Sequence, residues 1–443
     1  MKIVIAGAGE VGSHLAKMLS NENQDIVVID NDQAKLASLD TYNLMTMLGD
    51  PVSFSALENA RVGEADLFIA VTPHETRNII SCSMAKDMGA QKTVARIDND
   101  EFLNKRNADY FHKLGVDDLI YPEYFAGLEI MGALKHTWAR NWFEMLGGEL
   151  IVVGVKLRQN AKIVGKRFKE IGGVSNFLHV SAIKHNREII IPRGDDMISE
   201  NDIAYISTTR DHLDDVIDIC GKRRISVERL MVMGGTPIAV QLAKMLGHKA
   251  RIKLFDRDPE RCRVLSETLP NCNVVCSDAT NTDVIEDEGI GDCDVFVALT
   301  EHSESNILSC IMAKNHGVRK TIAEVENIQF IPEAESLNIG TVINKKLLAS
   351  SRIFQIMLDS DVDNSKCLAL ADAEVAELEI KPGAKVTRGQ VKDLKLNRDM
   401  TIAGLSRNGV GMLVKGDTQL QAGDRVVVFC LSGSLHKIEK IFG

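Results

Sequence analysis

Short apolar runs alternate with amphipathic stretches along the first 120 residues of the chain. The runs are rich in Val and Ile and predict five β-strands, KIVIAG (2–7), DIVVID (25–30), LMTML (44–48), LFIAV (67–71) and TVARI (93–97). The stretches between them, such as SHLAKMLSN and NIISCSMAKDMG, have the spacing of helices. Strands that alternate with helices indicate βαβ units and a parallel sheet.

The same pattern returns later in the chain. IVIAGAGEVGSHLAKML (3–19) resembles LMVMGGTPIAVQLAKML (230–246), with LAKML at the same distance from the first glycine. Residues 66–99 then align with residues 294–327 without a gap, at a constant separation of 228 positions. Such self-similarity is the signature of a duplicated architecture. We therefore predict a second unit of the same kind over residues 228–344.

A predicted helix and a small region of short strands follow each unit. PEYFAGLEIMGALKHTWARNWFEML (122–146) begins with proline, which suits a first helical turn, and NKKLLASSRIFQIML (344–358) is its counterpart, with Ala126 matching Ala349 and Ile130 matching Ile353. Turn signals then separate short apolar runs at RGDD, ENDI, KPGA and QAGD. These runs predict a small α+β module after each helix.

The predicted fold class is therefore α/β, a tandem duplication of a Rossmann-like doubly wound parallel sheet. Each copy is followed by a connecting helix and a small α+β C-terminal module. The predicted limits are 1–120 for the first Rossmann-like domain, 121–147 for its helix, 148–225 for its module, 228–344 for the second Rossmann-like domain, 345–360 for its helix and 365–443 for its module.

Composition narrows the possible partners. The formal net charge of −10 would repel phosphate backbones and anionic lipid, so nucleic acid is not an expected partner. No apolar run approaches the ~20 residues that span a bilayer, so we expect a cytoplasmic protein that reaches a membrane only through a partner. The nine cysteines form no CxxC pair and no mixture with histidine at metal spacing, so we predict buried thiols and no metal site.

A glycine-rich loop follows the first strand and opens the first helix. Its sequence is Gly7-Ala8-Gly9-Glu10-Val11-Gly12, the G-x-G-x-x-G pattern of dinucleotide-binding folds. Gly7 permits the tight turn, Gly9 lets the backbone approach a pyrophosphate, and Gly12 lets the helix pack on the strand. Asp30 ends the second strand, where a carboxylate binds ribose hydroxyls and disfavours a 2′-phosphate. We therefore predict NAD(H) as the ligand rather than NADP(H).

Four further candidate positions lie at predicted strand ends, where doubly wound folds bind ligands. Asp50 is interpreted either as a contact to the adenosine end of a ligand or as a turn-forming residue before Pro51. Thr72 and Pro73 end the fourth strand. Arg96 closes the fifth strand and would meet a phosphate or form a solvated salt bridge.

The second copy departs from this pattern at the loop. Thr236, Pro237 and Ala239 replace Gly9, Glu10 and Gly12, and Pro237 lacks one of the N–H donors that would face a phosphate. Glu324 replaces Arg96, which reverses a charge. Other positions of the site keep their character, namely Gly234, Asp256, Asp278 and Thr300. We predict a degenerate second site that binds weakly, prefers another ligand or is purely structural.

Catalytic motifs are not found. His74 and His302 occupy equivalent positions at the mouth of each predicted sheet, and we interpret them as loop residues rather than general acids. No Tyr-x-x-x-Lys pair, Gly-x-Ser-x-Gly elbow or HExxH motif is present. The chain is therefore predicted not to be an enzyme.

The segment 125–146 carries Met and aromatic residues at helical spacing. They are interpreted either as a core face or as a surface for another subunit, and they comprise Phe125, Met131, Trp138, Trp142, Phe143 and Met145.

The tandem layout, the GAGEVG loop, Asp30 and the AVTPHETRN segment resemble the RCK family of regulators of potassium conductance, over essentially the whole chain. Similar GD-containing turns run from Gly194-Asp195 to Asp202 and from Gly416-Asp417 to Asp424. The resemblance implies NAD(H), ATP or ADP binding at Gly7 through Val11, Asp30, Thr72, Pro73 and Arg96. It also implies a homotetrameric ring that gates a membrane potassium-translocating subunit at the inner face of the cell membrane. The alternatives are an NAD-dependent dehydrogenase and a cyclic-dinucleotide-responsive regulator of another cation transporter.

Overall fold

The computed structural model describes residues 1–20, 24–172, 176–185, 188–361, 366–370, 373–394, 396–431 and 441–442 of the chain. These residues form two compact units. The first comprises residues 1–128 and 344–357, and the second comprises residues 129–343 and 358–443. The first unit therefore contains one Rossmann-like domain together with a helical segment that comes from the second half of the sequence.

The first Rossmann-like domain alternates strands and helices as the apolar pattern predicts. Its elements are β1 (Lys2–Ala6), α1 (Glu10–Ser20), β2 (Asp25–Asp30), α2 (Gln33–Ala37), β3 (Met45–Leu48), α3 (Phe54–Asn59), β4 (Leu67–Ala70), α4 (Glu75–Met88), β5 (Lys92–Arg96), α5 (Lys105–Lys113) and β6 (Asp118–Ile120). The strands pair in parallel in the order β3-β2-β1-β4-β5-β6. All four residues of β4 are buried, as expected for a central strand covered by helices on both faces.

The predicted single helix over residues 122–146 is wrong in its second half. Helix α6 (Pro122–Lys135) ends eleven residues earlier, and residues 141–145 form strand β7 (Asn141–Met145). Trp142 and Phe143 favour a strand, and β7 pairs antiparallel with the following strand from Asn141↔Gly154 to Met145↔Leu150. Tertiary pairing here outweighs the helical spacing of the apolar residues.

The first small module is an antiparallel sheet in the order β10-β9-β11-β8-β7. Its remaining elements are β8 (Leu150–Lys156), α7 (Phe168–Gly172), β9 (His179–His185), β10 (Glu188–Ile190), β11 (Ile203–Thr209) and α8 (Leu213–Ile219). Trp138 is buried in the core of this module, with Trp142 packed against it, and Met145 is buried in a neighbouring core cluster, with Phe143 packed against that. These four residues therefore pack within the chain.

The second Rossmann-like domain repeats the first strand for strand. Its elements are β12 (Arg229–Met233), α9 (Pro237–Leu246), β13 (Arg251–Asp256), α10 (Pro259–Thr268), β14 (Cys272–Cys276), α11 (Thr282–Asp287), β15 (Val295–Ala298), α12 (Ser303–Asn315), β16 (Lys320–Glu324), α13 (Ile331–Ser336) and β17 (Thr341–Ile343). The strand order is β14-β13-β12-β15-β16-β17, again all parallel.

Helix α14 (Lys345–Asp361) leads from this domain to the second small module, an antiparallel sheet in the order β18-β19-β22-β20-β21. The strands are β18 (Lys366–Leu370), β19 (Ala373–Glu379), β20 (Met400–Arg407), β21 (Val410–Leu413) and β22 (Arg425–Leu431). Short 3-10 turns occur in both halves, at Val62–Glu64, Asp100–Leu103, Leu146–Gly148, Arg210–His212, Ile290–Asp292, Ile328–Phe330, Lys385–Arg388 and Val391–Asp393.

A basic cluster lies where the second Rossmann-like domain meets the first small module. The buried amine of Lys320, on β16, donates to the carbonyl of Ala139 at 3.0 Å. Arg140 and Lys314 lie close enough to Lys320 to repel its charge. Burial first, and then these neighbouring cations, lower the pKa of Lys320 to about 7. This lysine therefore titrates near neutral pH in the folded chain.

Cys82, Cys310 and Cys430 are buried, which agrees with their interpretation as small hydrophobic residues. Burial raises the pKa of Cys310 to about 12. Within the part of the chain that the structure describes, no group of His, Cys, Asp and Glu is arranged to hold a metal ion. Nor does any helix in that part combine the length and apolarity needed to cross a membrane.

Candidate functional site

The three glycines of the first loop differ in what surrounds them. Gly7 has φ +113°, and a Cβ on it would lie 3.0 Å from the backbone nitrogen of Thr72. A Cβ on Gly12 would lie 1.9 Å from the carbonyl oxygen of Gly7, so α1 approaches β1 more closely than any side chain allows. A Cβ on Gly9 would meet no atom within 4 Å. The loop is therefore tight where it packs and open at the position assigned to a pyrophosphate.

Asp30 is the residue that fixes this loop to the sheet. Its carboxylate lies at the end of β2, is 7% exposed, and accepts from the backbone N–H groups of Ala8 at 2.6 Å and Asp32 at 2.9 Å. A carboxylate has about four lone-pair sites, so two remain for further donors. Asp30 can therefore hold the loop and still accept from ribose hydroxyls.

Asp50 follows β3 and is engaged on two sides. Its carboxylate accepts from the N–H of Val52 at 3.0 Å and is hydrogen-bonded to the guanidinium of Arg77. The hydrogen bond from Val52, followed by the interaction with Arg77, lowers the pKa of Asp50. The hydrogen bond from the Val52 N–H is one that a turn-forming aspartate makes, so it agrees with the interpretation of Asp50 as a turn residue. Arg77, on α4, is a site residue that sequence reasoning missed.

Asn78 organises the end of β4 and was also missed. It is fully buried, and its Oδ1 accepts from the backbone N–H of Thr72 at 2.9 Å and from the Thr72 hydroxyl at 2.6 Å. Its Nδ2 donates to the carbonyls of Thr72 at 3.0 Å and Arg96 at 2.9 Å. One amide thus joins the ends of β4 and β5, while the adjacent Pro73 is exposed. The sequence repeat could have identified Asn78 as a site residue, because Asn306 occupies the equivalent position in the second copy.

Arg96 keeps part of its guanidinium available. One terminal nitrogen pairs with Asp98 at 3.0 Å, and the side chain is 24% exposed. Its Nε is buried and has no hydrogen-bond partner among the described residues. Arg96 therefore forms a salt bridge, as one of its two interpretations predicted. Its Nε remains without a hydrogen-bond partner among the described residues.

Helix α14, from the second half of the sequence, packs beside the first loop. Lys346 forms an ion pair with Glu10, at the start of α1. The hydroxyl of Ser350 donates to the carbonyl of Val11 at 3.5 Å. Lys345 pairs with Glu123, on α6, at 3.5 Å. The N-terminus of α1 is thus in contact with a helix that the sequence places more than 300 residues away.

The second loop retains the hydrogen bond between the loop and the acid. Gly234 has φ +99°, and the N–H of Gly235 donates to the carboxylate of Asp256 at 2.8 Å. Asp258 N–H donates to the other carboxylate oxygen at 2.9 Å. In this copy an additional group, the guanidinium of Arg261, lies 3.3 Å from Asp256. This guanidinium partly neutralises the carboxylate of Asp256, and among the described residues Asp30 has no such ion pair.

A cavity of about 360 Å³ opens in front of the second loop. Asp278 lies on its wall and accepts from the N–H of Thr280 at 2.9 Å and from its hydroxyl at 2.8 Å, which lowers the pKa of Asp278. Thr236 also lines the cavity; it is 9% exposed, and its hydroxyl has no hydrogen-bond partner among the described residues. Pro237 occupies the first position of α9, so a donor is lost there.

The end of β15 is built like the end of β4. Asn306 accepts from the backbone N–H of Thr300 at 3.0 Å and from its hydroxyl at 2.7 Å, and donates to the carbonyls of Thr300 and Glu324 at 2.7 and 2.9 Å. Glu324, where the first copy has Arg96, is 4% exposed. The hydrogen bonds that join the strands are the same in both copies, while the charge beside them is reversed.

His74 and His302 occupy the residue before α4 and before α12, and both are exposed. Neither imidazole caps its helix. Their positions agree with the interpretation as loop residues.

The acidic turns of the small modules have a structural role. Asp202 is 3% exposed and accepts from Ser199 N–H at 2.8 Å and from His185 Nδ1 at 2.6 Å. Asp424 is 2% exposed and binds Arg407 through two hydrogen bonds of 2.7 Å. These carboxylates are satisfied by protein groups.

Comparison with known families covers most of the chain. The TrkA-N domain model matches residues 3–122 and 230–345, and the TrkA-C domain model matches residues 152–221 and 375–443. A Trk system potassium uptake protein TrkA homolog from Archaeoglobus fulgidus is 29% identical over the full length of both chains. The Trk system potassium uptake protein TrkA of Halomonas elongata is also 29% identical, over 100% of this chain and 98% of its own.

Solved structures share the fold at low sequence identity. The GsuK RCK domain has a TM-score of 0.61 at 16% identity, covering 100% of this chain and 94% of its own. The GsuK channel bound to NAD has a TM-score of 0.60 at 16% identity, covering 100% of this chain and 78% of its own. The predicted tandem Rossmann-like architecture with small C-terminal modules is therefore confirmed, as is the resemblance to RCK proteins.

Proposed function

The chain belongs to the TrkA family of potassium-uptake regulators, and on that premise we propose that it is a nucleotide-sensing subunit that gates a membrane potassium translocator. The family is one of regulatory subunits rather than enzymes, which confirms the prediction that the chain is not an enzyme. Binding of a nucleotide and action on potassium transport follow from the family at this coarse level. The ligand, the gating mechanism and the assembly belong to the proposal.

The observation that supports the proposal best is the intact first loop. Gly9 presents open backbone, Asp30 retains acceptor capacity, and the N-terminus of α1 supplies N–H groups and a partial positive charge for phosphates. The unused Nε of Arg96 adds a cationic donor at the end of β5. This set suits NAD(H), with ATP and ADP as competing ligands. GsuK, which shares the fold, has been solved bound to NAD and to ADP.

Helix α14 supplies a route by which a ligand would act. Its Lys346 pairs with Glu10 and its Ser350 contacts Val11, both at the N-terminus where phosphates would sit. An incoming anion would repel Glu10 and attract Lys346. Ligands that differ in charge at this point would favour different positions of α14. Each ligand would shift the population toward the conformation that it binds more tightly.

We further propose a homotetrameric ring at the cytoplasmic face of the membrane, in contact with a Trk-type potassium-translocating subunit. The names of the relatives, Trk system potassium uptake proteins, support the choice of partner. The GsuK channel, whose chain shares this fold, supports a role of the fold in the control of a channel.

The test is a calorimetric titration of the full chain with NADH, NAD, ATP and ADP, repeated for Asp30→Ala. We expect NADH to bind at the first site and to lose at least tenfold in affinity in the variant, because the ribose hydroxyls lose a charged acceptor. Potassium uptake by cells carrying the partner subunit and either chain then tests the coupling. Asp25→Ala, at the exposed start of β2, is the matched control.

Two results would contradict the proposal. One is equal NADH affinity for the wild type and Asp30→Ala, which would leave the loop without a ligand role. The other is nucleotide binding that leaves potassium uptake unchanged.

A further inference from the structure

The two sites differ in how much space their side chains leave. In the first copy, the Arg77 side chain reaches Asp50 and forms an ion pair with it. The equivalent of Arg77 in the duplication is Ser305, which lines the cavity and is too short to reach Asp278. The second site is therefore an open, polar cavity of about 360 Å³, at the small end of the roughly 300–1,000 Å³ that ligand pockets occupy.

One wall of this cavity presents an unused donor. The Thr236 hydroxyl is buried without a partner among the described residues, although a buried hydroxyl normally has one. Thr236 is the residue that precedes α9, and its side chain does not cap that helix. The hydroxyl belongs to the residue before Pro237, which has no backbone N–H, so it is a donor available at the N-terminus of α9.

The charges around the cavity limit how many phosphates it can hold. Arg261 and Arg257 lie on the wall beside Asp256, where the ribose of a nucleotide would bind. Three further carboxylates line the same cavity, those of Asp258, Asp278 and Glu301. The two guanidinium groups can compensate the charge of one phosphate, whereas each additional phosphate would bring more negative charge into a cavity that already contains these carboxylates.

We propose that the second site binds a nucleoside monophosphate, with Thr236 donating to its phosphate and Asp256 accepting from its ribose. This inference rests on the proposed function, since it gives the nucleotide-sensing chain a second ligand of different charge. The chain would then respond to the ratio of a long and a short nucleotide rather than to one of them.

The experiment isolates the second site in the full chain. Asp30→Asn weakens the first site, and the protein is titrated with AMP, ADP and ATP by calorimetry. We expect AMP to bind with one site per chain and at least tenfold more tightly than ATP. Asp256→Asn in the same background should abolish the heat of AMP binding. Thermal unfolding of each variant shows that it is folded.

Two further variants separate a ligand contact from a structural role. Thr236→Val removes the hydroxyl at nearly constant shape and should weaken AMP binding roughly tenfold, the usual effect of losing a hydrogen bond to a charged group. Thr236→Ser retains the hydroxyl and should bind AMP within about threefold of the parent. Glu301→Gln removes one of the carboxylates that line the cavity and should narrow the difference in affinity between AMP and ATP.

The proposal is overturned if AMP does not bind, if ATP binds the second site as tightly as AMP, or if Asp256→Asn leaves AMP binding intact. Failure of the proposed function gives a different result, namely NADH binding to wild type that does not depend on Asp30. Because the two sites are read in separate variants, each conclusion can fail while the other stands.

Discussion

The two Rossmann-like copies agree in the hydrogen bonds that hold the sheet edge together and differ in the groups that a ligand would meet. Both fix the loop to an aspartate, through Ala8 and Asp30 in one copy and Gly235 and Asp256 in the other. Both join two strand ends with a buried asparagine. The loop donors, the basic residues and the charge at the fifth strand all change. The comparison shows that the fold requires the hydrogen bonds at the sheet edge, whereas the side chains that would contact a ligand can differ between the two copies.

The largest expected effect comes from Gly12→Ala, because the new Cβ would lie 1.9 Å from the carbonyl oxygen of Gly7. Relieving that overlap should cost about 3 kcal/mol of stability in the first domain, the upper part of the usual range for overpacking. Nucleotide binding at the first site should be lost with it. Urea unfolding and NADH titration measure the two effects.

Ala239→Gly is the matched change in the second copy. It removes a buried methyl group from α9 and should cost about 1 kcal/mol, the helix penalty of glycine. A cost near zero for Gly12→Ala would show that the first loop accommodates a Cβ as the second loop does, which would contradict the difference between the two copies.

The second prediction concerns Asn78→Leu and Asn306→Leu. Each leaves a threonine N–H and two strand-end carbonyls without their amide partner, which should cost about 2–3 kcal/mol. Hydrogen exchange should rise at the β4 and β5 ends in the first variant and at the β15 and β16 ends in the second. The two amides make the same hydrogen bonds. Losses in the free energy of unfolding that differ by more than about 1 kcal/mol would therefore contradict the conclusion that both copies hold the sheet edge in the same way.

The third prediction is a pH dependence of stability that arises in the second unit. The pKa of Lys320 is about 7 in the folded chain and about 10.4 when unfolded, so the unfolded chain binds more protons between these values. Stability should therefore rise with pH from 7 to 10, by up to about 1.4 kcal/mol per pH unit from this group. Arg140, Lys314 and Lys222 oppose its charge, and Glu129 partly offsets them.

Lys320→Met should reduce this rise, as measured by urea unfolding at pH 7, 8, 9 and 10. Part of the rise should remain, because burial also lowers the pKa of Lys314 and of Lys156 to about 8. The equivalent residue of the first copy, Lys92, is 31% exposed and pairs with Asp118 at 3.2 Å. Lys92→Met should change stability by less than about 1 kcal/mol at each pH. An unchanged slope in the Lys320 variant would show that its amine is hydrated when folded.

The smallest expected effect is that of Lys346→Ala. Its partner Glu10 is 65% exposed, so the pair should contribute no more than about 0.5 kcal/mol to stability. The variant should instead reduce the response of potassium uptake to NADH while the protein remains folded. Arg352→Ala, on the same helix, is the control. An unaltered response of potassium uptake to NADH in Lys346→Ala would show that the contact between α14 and Glu10 does not transmit the effect of the ligand.

The order of strands and helices could be predicted because the apolar runs that mark the strands are clear and occur in both copies. Apolar runs identified five strands of the first parallel sheet, and the sequence repeat predicted the second sheet. The glycine loop and Asp30, both predicted site positions, lie in contact. The sixth strands, β6 and β17, have only three residues each, too few for a periodic pattern. Helix α6 ends early because β7 pairs with β8, a contact that local spacing does not encode.

The site was predicted less completely, since its polar contacts depend on side chains that approach from other elements. Arg77 and Asn78 read as ordinary helix residues, and Lys346 lies in another part of the sequence. The cavity at the second loop depends on the short side chain of Ser305, which no motif marks. The nucleotide-binding roles of the glycine loops and acids and the domain limits stay predictions.

Residues 344–357 belong to the first unit although they follow the second Rossmann-like domain in sequence. In an assembly of two separate identical subunits, an exchanged helix would carry the same residues on both sides. Here the repeat places Glu123 at the position equivalent to Lys346, so the two helices carry opposite charges at corresponding positions of the sequence. Duplication within a single chain has thus released the copies from symmetry, and each could evolve its own ligand while remaining covalently joined to the other.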